Sequence, residues 1–160
     1  MKFYALLISF LLSACSVLPP VFNDSNIKHI SYTQVLENKE DFEDTLVRWG
    51  GVIIGLENDT NQSTLQVMYY PLDRYGRPDI DNSSEGYFVI KSPEPLDPKQ
   101  YTEGRELVAV GIIAKKEPSV SRGSTRLPLI KASGIHLWPI TYRENYYFHC
   151  PSCYFQQLYW

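Results

Sequence analysis

The sequence has little of what marks several large classes of protein. Its basic residues are scattered and fewer than its acidic ones, 15 Lys and Arg against 18 Asp and Glu, which argues against nucleic acid as a partner. No apolar run beyond residue 14 approaches the roughly 18 residues that a membrane-spanning helix needs. No serine stands in the Gly-x-Ser-x-Gly pattern of a hydrolase, and internal repeats are absent. The 160 residues therefore predict a single main domain of common size.

The first residues have the order of a secretory signal. Lys2 supplies positive charge, residues 3–12 are apolar, and Ser13 and Ala14 are small. A helix of that apolar length covers about 15 Å, half of the ~30 Å hydrocarbon core, so it is too short to span a bilayer. Residues 1–14 are therefore predicted to be a signal peptide that is removed on export.

Cys15 completes a second motif. The residues Leu12-Ser13-Ala14-Cys15 resemble the bacterial lipobox, in which a peptidase cuts before a cysteine that already carries diacylglycerol. An incidental cysteine beside an ordinary cleavage site is the alternative, but the placement at the end of the apolar run favours the lipobox. Cys15 is thus expected to carry S-diacylglycerol and an N-palmitoyl chain, which together anchor a protein stably in lipid. Ser16 stands where lipoproteins of the inner membrane usually have Asp, so the outer membrane and its lipid are the expected location and partner.

A tether and a helix are predicted next. Residues 15–28 lack a periodic apolar pattern and contain prolines and asparagines, so they are expected to form a tether that lifts a domain over residues 29–140 off the bilayer. Ser31 or Thr33 is expected to cap a short helix that reaches about Phe42. Two of its residues are expected on the buried side: Val35 and Leu36.

Branched and aromatic residues predict five strands in that domain. The strands are expected over residues 45–56, 63–72, 86–91, 106–116 and 126–138. The first carries Gly50-Gly51 as a bend or bulge and is expected to form a hairpin with the second. Asp97 before Pro98 predicts one brief helical turn between the third and fourth strands. This order predicts an all-β fold, a small OB-like five-stranded barrel with one or two short helices.

Several segments resemble the Slp family of Gram-negative outer-membrane lipoproteins. They are Val47-Arg48-Trp49-Gly50-Gly51-Val52-Ile53, Pro71-Leu72-Asp73, Gly76-Arg77-Pro78, residues 101–104 and Gly134-Ile135-His136-Leu137-Trp138. The resemblance covers residues 15–138 and implies an outer-membrane lipoprotein with a role in starvation or stress physiology. It implies no established reaction, catalytic residue or cofactor. The tail over residues 141–160 departs from the family pattern.

Cys150 and Cys153 lie in that tail, and their spacing is compatible with several roles. With Cys15 lipidated they make an even pair, and an oxidising periplasm favours a structural disulfide. A redox-active pair usually lies at a helix N-terminus in a βαβ unit, whereas this pair follows an all-β domain. A metal site would need further ligands, and free thiols are the remaining alternative. The candidate histidine ligands for a metal site are His149, His136 and His29.

Acidic residues after the second strand invite comparison with a calcium loop. Asp79, Asp81 and Ser83 match its first three ligands, but residue 84 is Ser and residue 90 is Ile, where the EF-hand requires Gly and Glu. The EF-hand is therefore excluded. A looser calcium site that uses Asp73 with Asp79 and Asp81 stays open beside a solvated acidic loop.

Candidates for acid–base chemistry are few. Asp73 and Glu85 lie in turns, where carboxylates are normally solvated, and His136 alternates with apolar residues in a predicted strand. We therefore predict no catalytic residue and no metal ligand, with His136 facing solvent or hydrogen-bonded.

Aromatic residues crowd the tail. They are Tyr142, Tyr146, Tyr147, Phe148, Tyr154, Phe155, Tyr159 and Trp160. Three roles compete for them, namely packing on the barrel, contact with a protein partner and contact with the bilayer. The prediction is a non-enzymatic, lipid-anchored envelope protein that contacts an envelope protein or small ligand. The alternative is a periplasmic thiol-redox or other envelope enzyme that uses Cys150 and Cys153.

Overall fold

The computed structural model describes residues 19–114, 121–122 and 125–140. Its helical elements are the 3-10 helix η1 (Pro20–Asn23), the α-helix α1 (Tyr32–Glu37) and the 3-10 helix η2 (Lys39–Phe42). Its strands are β1 (Leu46–Asn58), β2 (Ser63–Tyr70), β3 (Gly86–Ser92), β4 (Glu106–Ile113), β5 (Ser121–Arg122), β6 (Thr125–Arg126) and β7 (Leu129–Leu137). Five strands close into a barrel in the order β1-β2-β3-β7-β4, and β5 pairs with β6. The predicted all-β, five-stranded barrel is confirmed. In the described ranges, no helix is long and apolar enough to cross a membrane.

The barrel closes because β1 is long enough to have two partners. Its residues 50–58 pair with β2, and its residues 46–52 pair with β4, both antiparallel. The predicted hairpin of the first two strands is thereby confirmed. On the far side β7 runs antiparallel to β4 and parallel to β3, but its pairing with β3 is limited to residues 129–131.

The glycine pair in β1 permits close strand approach and does not form the bulge. The register of β1 on β2 shifts between Ile53 and Gly55, so the bulge lies at Ile54. A Cβ atom on Gly51 would overlap the carbonyl oxygen of Met68 on β2. The prediction of an irregular β1 is therefore right, but its position was wrong because Gly50 and Gly51 remain in regular pairing.

Aromatic rings fill one end of the barrel. Trp49, Tyr69 and Phe88 are buried and come from three neighbouring strands. The ring centroids of Trp49 and Tyr69, and those of Trp49 and Phe88, lie 5.4 Å apart in edge-to-face contact. Trp49 Nε1 donates to the carbonyl oxygen of Ile30 at 2.8 Å. This hydrogen bond satisfies a buried N–H that would otherwise cost about 1–3 kcal/mol.

Helix α1 covers the same end, and a capping box fixes its start. Ser31 Oγ accepts from the backbone N–H of Gln34, while Gln34 Oε1 accepts from that of Ser31. Tyr32 stacks on Tyr69 with centroids 5.0 Å apart. Its hydroxyl donates to the carbonyl oxygen of Tyr87 and accepts from the N–H of the same residue. These two hydrogen bonds join the helix to the start of β3.

The buried side of α1 is narrower than predicted. Val35 is fully buried, as expected, but Leu36 is 49% exposed. Successive helical residues point about 100° apart, so a six-residue helix that buries Tyr32 and Val35 turns Leu36 outward. The helical region does reach Phe42, although Asn38 divides it into α1 and η2.

The chain between β3 and β4 covers the opposite end of the barrel. Ser63 Oγ accepts from the N–H of Leu96, and Asn58 Nδ2 donates to the Leu96 carbonyl oxygen at 2.9 Å. The helical turn expected at Asp97 is a single hydrogen-bonded turn, in which the N–H of Tyr101 reaches the Asp97 carbonyl oxygen. Leu96 and Tyr101 pack against the barrel core from this side.

Part of the segment expected to be a tether lies on the barrel. Phe22 in η1 is only 2% exposed, and the N–H of Lys28 donates to the carbonyl oxygen of Leu46 in β1. The tether prediction for residues 15–28 therefore does not describe residues 20–28. Sequence periodicity missed this docking because one buried phenylalanine in a Pro- and Asn-rich stretch has no period.

Candidate functional site

The outer surface of β1, β4 and β7 carries a second apolar cluster. Side chains alternate along a strand, so Val108 and Val110 point out of the barrel while Leu107 and Ala109 point in. We call Phe22, Val108, Val110 and Trp138 the outer core. Arg48 in β1 donates from Nη1 to the Phe22 carbonyl oxygen at 2.8 Å, which fixes the backbone of η1 above the sheet.

The β2–β3 loop covers the other half of that surface. Arg77 forms a two-point ion pair with Glu106 of β4, and its guanidinium lies 5.8 Å from the centre of the Trp138 ring. Asp73 holds the loop in shape, because its Oδ1 accepts from the N–H groups of Tyr75 and Arg77. The outer core is therefore enclosed by two segments that contain no barrel strand.

A cleft of about 260 Å³ opens where β3 leaves β7. The last pair between the two strands is Lys91 with Lys131, and β7 continues to Leu137 beside β4 alone among the described strands. One wall of the cleft is β7 and the other is the chain after β3. The lining residues are Ser92, Pro93, Glu94, Leu96, Tyr101, Ala132, Ser133, Gly134 and Ile135.

The backbone of β7 presents polar groups on its cleft side. The N–H of Trp138 donates to the Glu106 carbonyl oxygen, so Trp138 points its N–H toward β4. Backbone groups alternate along an antiparallel strand, and the N–H and C=O groups of Ile135 and Leu137 therefore point away from β4. Ser133 is exposed and lies at the bulge of β7, where its Oγ donates to the Val110 carbonyl oxygen.

Tyr101 and Arg105 hold the second wall in place. Arg105 donates from Nη1 to the Gln100 carbonyl oxygen and from Nη2 to that of Trp138, so it ties the turn to the end of β7. Burial raises the pKa of the Tyr101 hydroxyl, and the positive charge of Arg105 partly opposes that shift. Tyr101 is therefore neutral at physiological pH and offers the cleft an aromatic wall with a hydroxyl donor.

The acidic candidates of the β2–β3 loop do not converge. Asp73 serves its own turn, and Asp79 Oδ2 accepts from Asn82 Nδ2. Among the described residues, no group of three or more His, Cys, Asp or Glu side chains could hold a metal ion, and Asp81 and Glu85 join none. The looser calcium site is therefore not formed in this part of the chain.

The histidines divide between two places. His136 is half-buried, with its ring 6.1 Å from Phe22 and 5.3 Å from Trp138, both edge-on, so it belongs to the rim of the outer core. His29 is exposed and lines a recess of about 220 Å³ with Asp24 and Arg48. Cys15, Cys150, Cys153 and His149 lie outside the described residues, and the lipid, the disulfide and the roles of the tail stay predictions.

Sequence reasoning missed the cleft, although one signal for it was present. The fifth strand was predicted over residues 126–138 and the third over only 86–91. A long strand next to a short parallel one must extend beyond it, which leaves part of its edge beside the connecting chain. Once the two strands pair in parallel up to Lys91 and Lys131, these lengths leave residues 132–137 of β7 without a described strand on that side.

Comparisons with known proteins place the chain in a family. A model of the outer membrane lipoprotein Slp family matches residues 12–160. Outer membrane protein Slp of Escherichia coli (strain K12) is 27% identical over 134 residues, which cover 82% of this chain and 71% of that protein.

Two solved structures are also similar, at a lower level. A putative aspartyl-tRNA synthetase from Leishmania major Friedlin gives a TM-score of 0.47 at 9% identity and covers 86% of this chain. Aspartyl tRNA synthetase from Entamoeba histolytica gives 0.47 at 8% identity and covers 81%. This chain spans only 26% and 25% of their lengths, and at these TM-scores the likeness supports no conclusion.

The family match includes Cys15, the whole barrel and the tail, because it starts at residue 12 and extends through residue 160. The prediction that residues 141–160 depart from the family pattern was therefore wrong. The match confirms the prediction of a lipid-anchored protein of the outer membrane at the level of the family. The chain belongs to the outer membrane lipoprotein Slp family.

Proposed function

We propose that this protein is a non-enzymatic binding module of the cell envelope, held at the outer membrane by lipid on Cys15. The lipobox sequence before Cys15 supports the anchor, as does a family match that begins three residues upstream of it. The partner is an extended segment of another envelope protein, and it binds in the cleft beside β7.

The observation that carries the binding role is the edge of β7. Ile135 and Leu137 direct backbone donors and acceptors away from β4, next to a cleft that Leu96 and Tyr101 make partly apolar. An extended peptide that adds to such an edge gains main-chain hydrogen bonds along its length and side-chain contacts at alternate residues. The cleft supplies both kinds of contact.

The open shape of the cleft favours a peptide over a small ligand. Its volume of about 260 Å³ is close to the lower bound for small-molecule pockets. Pockets that enclose a small molecule usually measure about 300–1,000 Å³ and bury most of the ligand surface. An open cleft along a strand suits a chain that passes through it.

Site-specific photocrosslinking tests the proposal. p-Benzoylphenylalanine at Glu94, an exposed residue of the cleft, is expected to capture a defined protein partner in intact cells, whereas the same probe at exposed Tyr75 does not. Ser133→Phe places a ring in the cleft and is expected to abolish the product. Ser133→Ala is the matched control, because it loses the bond to Val110 without filling the cleft.

Two results would contradict the proposal. The same products from Tyr75 as from Glu94 would mean that the barrel is merely crowded by its neighbours. A product that survives Ser133→Phe unchanged would place the contact outside the cleft.

A further inference from the structure

The docked N-terminal segment restricts how far the barrel can lie from its anchor. Four residue steps separate Cys15 from Pro19, and an extended chain advances at most ~3.6 Å per residue, so the anchor reaches about 14 Å. Beyond that point η1 is fixed to the barrel through Phe22 and Arg48. This restriction depends on the proposed lipidation of Cys15. With the lipid in place, the surface around η1 lies nearest the membrane.

Two exposed apolar side chains lie on that surface. Val21 in η1 and Ile112 in β4 are each 39% exposed. A Cγ atom of Val21 lies 3.0 Å from where a Cβ on Gly134 would be, and Gly134 pairs with Val110. Ile112 follows Val110 on the same face of β4, since residues two apart in a strand share a face. Val21 and Ile112 therefore lie on the same outer surface of the sheet.

Two lysines accompany this apolar pair. Lys131 is exposed and pairs with Ile112 across β4 and β7. Lys28 is exposed and hydrogen-bonds through its backbone to Leu46, which pairs with Ile112 on the other side. The acidic residue of the docked segment is Asp24, whose Oδ1 accepts from the N–H and Nδ2 of Asn26.

We infer that Val21, Ile112, Lys28 and Lys131 form a membrane-facing surface, which lies against the anionic phospholipid headgroups of the leaflet that holds the acyl chains. Apolar side chains with lysines beside them suit the boundary between headgroups and acyl chains. The short link from Cys15 keeps this surface within reach of the bilayer at all times. The barrel is thus oriented on the membrane and does not swing freely from its anchor.

The test uses the full-length acylated protein in vesicles of phosphatidylethanolamine and phosphatidylglycerol. p-Benzoylphenylalanine is placed singly at Val21, Ile112, Gln62 and Tyr75, all exposed, and lipid adducts are measured after irradiation. Adducts are expected several-fold more often from Val21 and Ile112 than from Gln62 and Tyr75. Near-UV circular dichroism verifies that each labelled protein retains its packed core.

A charge test complements the crosslinking. Lys28→Glu with Lys131→Glu is expected to lower the adduct yield from Val21 several-fold in vesicles with phosphatidylglycerol. Lys99→Glu, a change at an exposed lysine in the turn after β3, is expected to leave it unchanged.

The outcomes separate this inference from the anchor itself. Equal adducts from all four positions, with labelled palmitate present on the protein, would overturn the orientation and leave the anchor intact. An unchanged yield in the double lysine variant would overturn the role of anionic headgroups. Failure of palmitate to enter the wild-type protein, or equal entry into Cys15→Ala, would remove both the anchor and the orientation.

Discussion

The protein has two apolar cores that are built differently. The inner core fills the barrel with inward side chains from the barrel strands, among them Trp49, Tyr69 and Phe88. The outer core lies on the opposite face of β4, where Phe22 comes from a docked segment and Trp138 follows the last residue of β7. The inner core is built mainly from the strands and is closed by Tyr32 and Val35 of α1, whereas the outer core forms only when η1 and the β2–β3 loop fold onto the outside of the sheet.

This difference indicates that the two cores have different structural roles. Packing of the inner core determines whether the barrel folds, because most residues of this core are positioned by strand alternation and pairing. The outer core determines where the N-terminal segment lies, and with it the position of the barrel relative to Cys15. Loss of inner packing should therefore unfold the domain, while loss of outer packing should release a segment from a barrel that persists.

The largest expected effect comes from Trp49→Ala. The indole is buried, contacts three aromatic rings and donates to the Ile30 carbonyl oxygen, so we expect a loss of about 3–5 kcal/mol in the free energy of unfolding. Urea denaturation measures it. Tyr75→Ala, at a side chain 62% exposed, is the control and should change stability by less than about 0.5 kcal/mol. A loss of similar size in both variants would contradict a special role for the inner core.

Phe22→Ala tests the outer core in the same comparison. Phe22 is 2% exposed and has a ring contact with His136 but no side-chain hydrogen bond, so we expect a loss of about 3 kcal/mol in docking free energy. Limited proteolysis should cut near residues 20–28 while the barrel stays resistant. Val21→Ala, at a partly exposed neighbour, should remain intact under the same conditions. Cleavage within the barrel strands would show that the two cores are not separable.

A double-mutant cycle on Arg77 and Glu106 tests how the loop closes the outer core. Their side chains are 19% and 13% exposed, and the pair is bidentate, so we expect a coupling of about 1 kcal/mol between Arg77→Ala and Glu106→Gln. Urea denaturation of the four proteins gives the value. Additive effects would mean that the β2–β3 loop is held by Leu72 and Pro78 above Gly50 instead.

The smallest effect at neutral pH is expected from Tyr69→Phe, which becomes informative in alkali. Burial, followed by the negative charge of Glu85, raises the pKa of Tyr69 to about 12 from 10.0. The unfolded state therefore loses this proton first, and the stability from the neutral hydroxyl is present below pH 10 and declines between pH 10 and 12. The wild type should lose more stability than Tyr69→Phe across that interval. Parallel curves for the two proteins would show that Tyr69 titrates normally.

The sequence predicted the inner core well because strand residues repeat with period two. All five barrel strands followed from such patterns, and the burial of Val35 followed from the predicted short helix. The outer core did not follow, since Phe22 is a single apolar residue among prolines and polar residues and its burial depends on tertiary contact. The predicted burial of Leu36 was wrong for a related reason, because a short helix buries only part of its apolar side.

The cleft was only partly predictable. Unequal lengths of the third and fifth strands are compatible with an open edge, but the pairing of these strands and the position of Leu96 and Tyr101 depend on contacts between distant residues. Among these contacts are the hydrogen bonds of Ser63 with Leu96 and of Arg105 with Trp138. Such long-range contacts have no local sequence signature. The disulfide at Cys150 and Cys153 and the thiol-redox alternative stay predictions, and loss of thiol exchange in Cys150→Ser would favour the enzyme.

Amide hydrogen exchange at Lys28 tests the docked segment most directly. Its N–H donates to the Leu46 carbonyl oxygen at 2.9 Å, a bond that exists only while the segment lies on the barrel. We expect slow exchange of this amide in the wild type, much faster exchange in Phe22→Ala, and unchanged protection of Val67 in β2. Rapid exchange of Lys28 in the wild type, or no response to Phe22→Ala, would contradict the account.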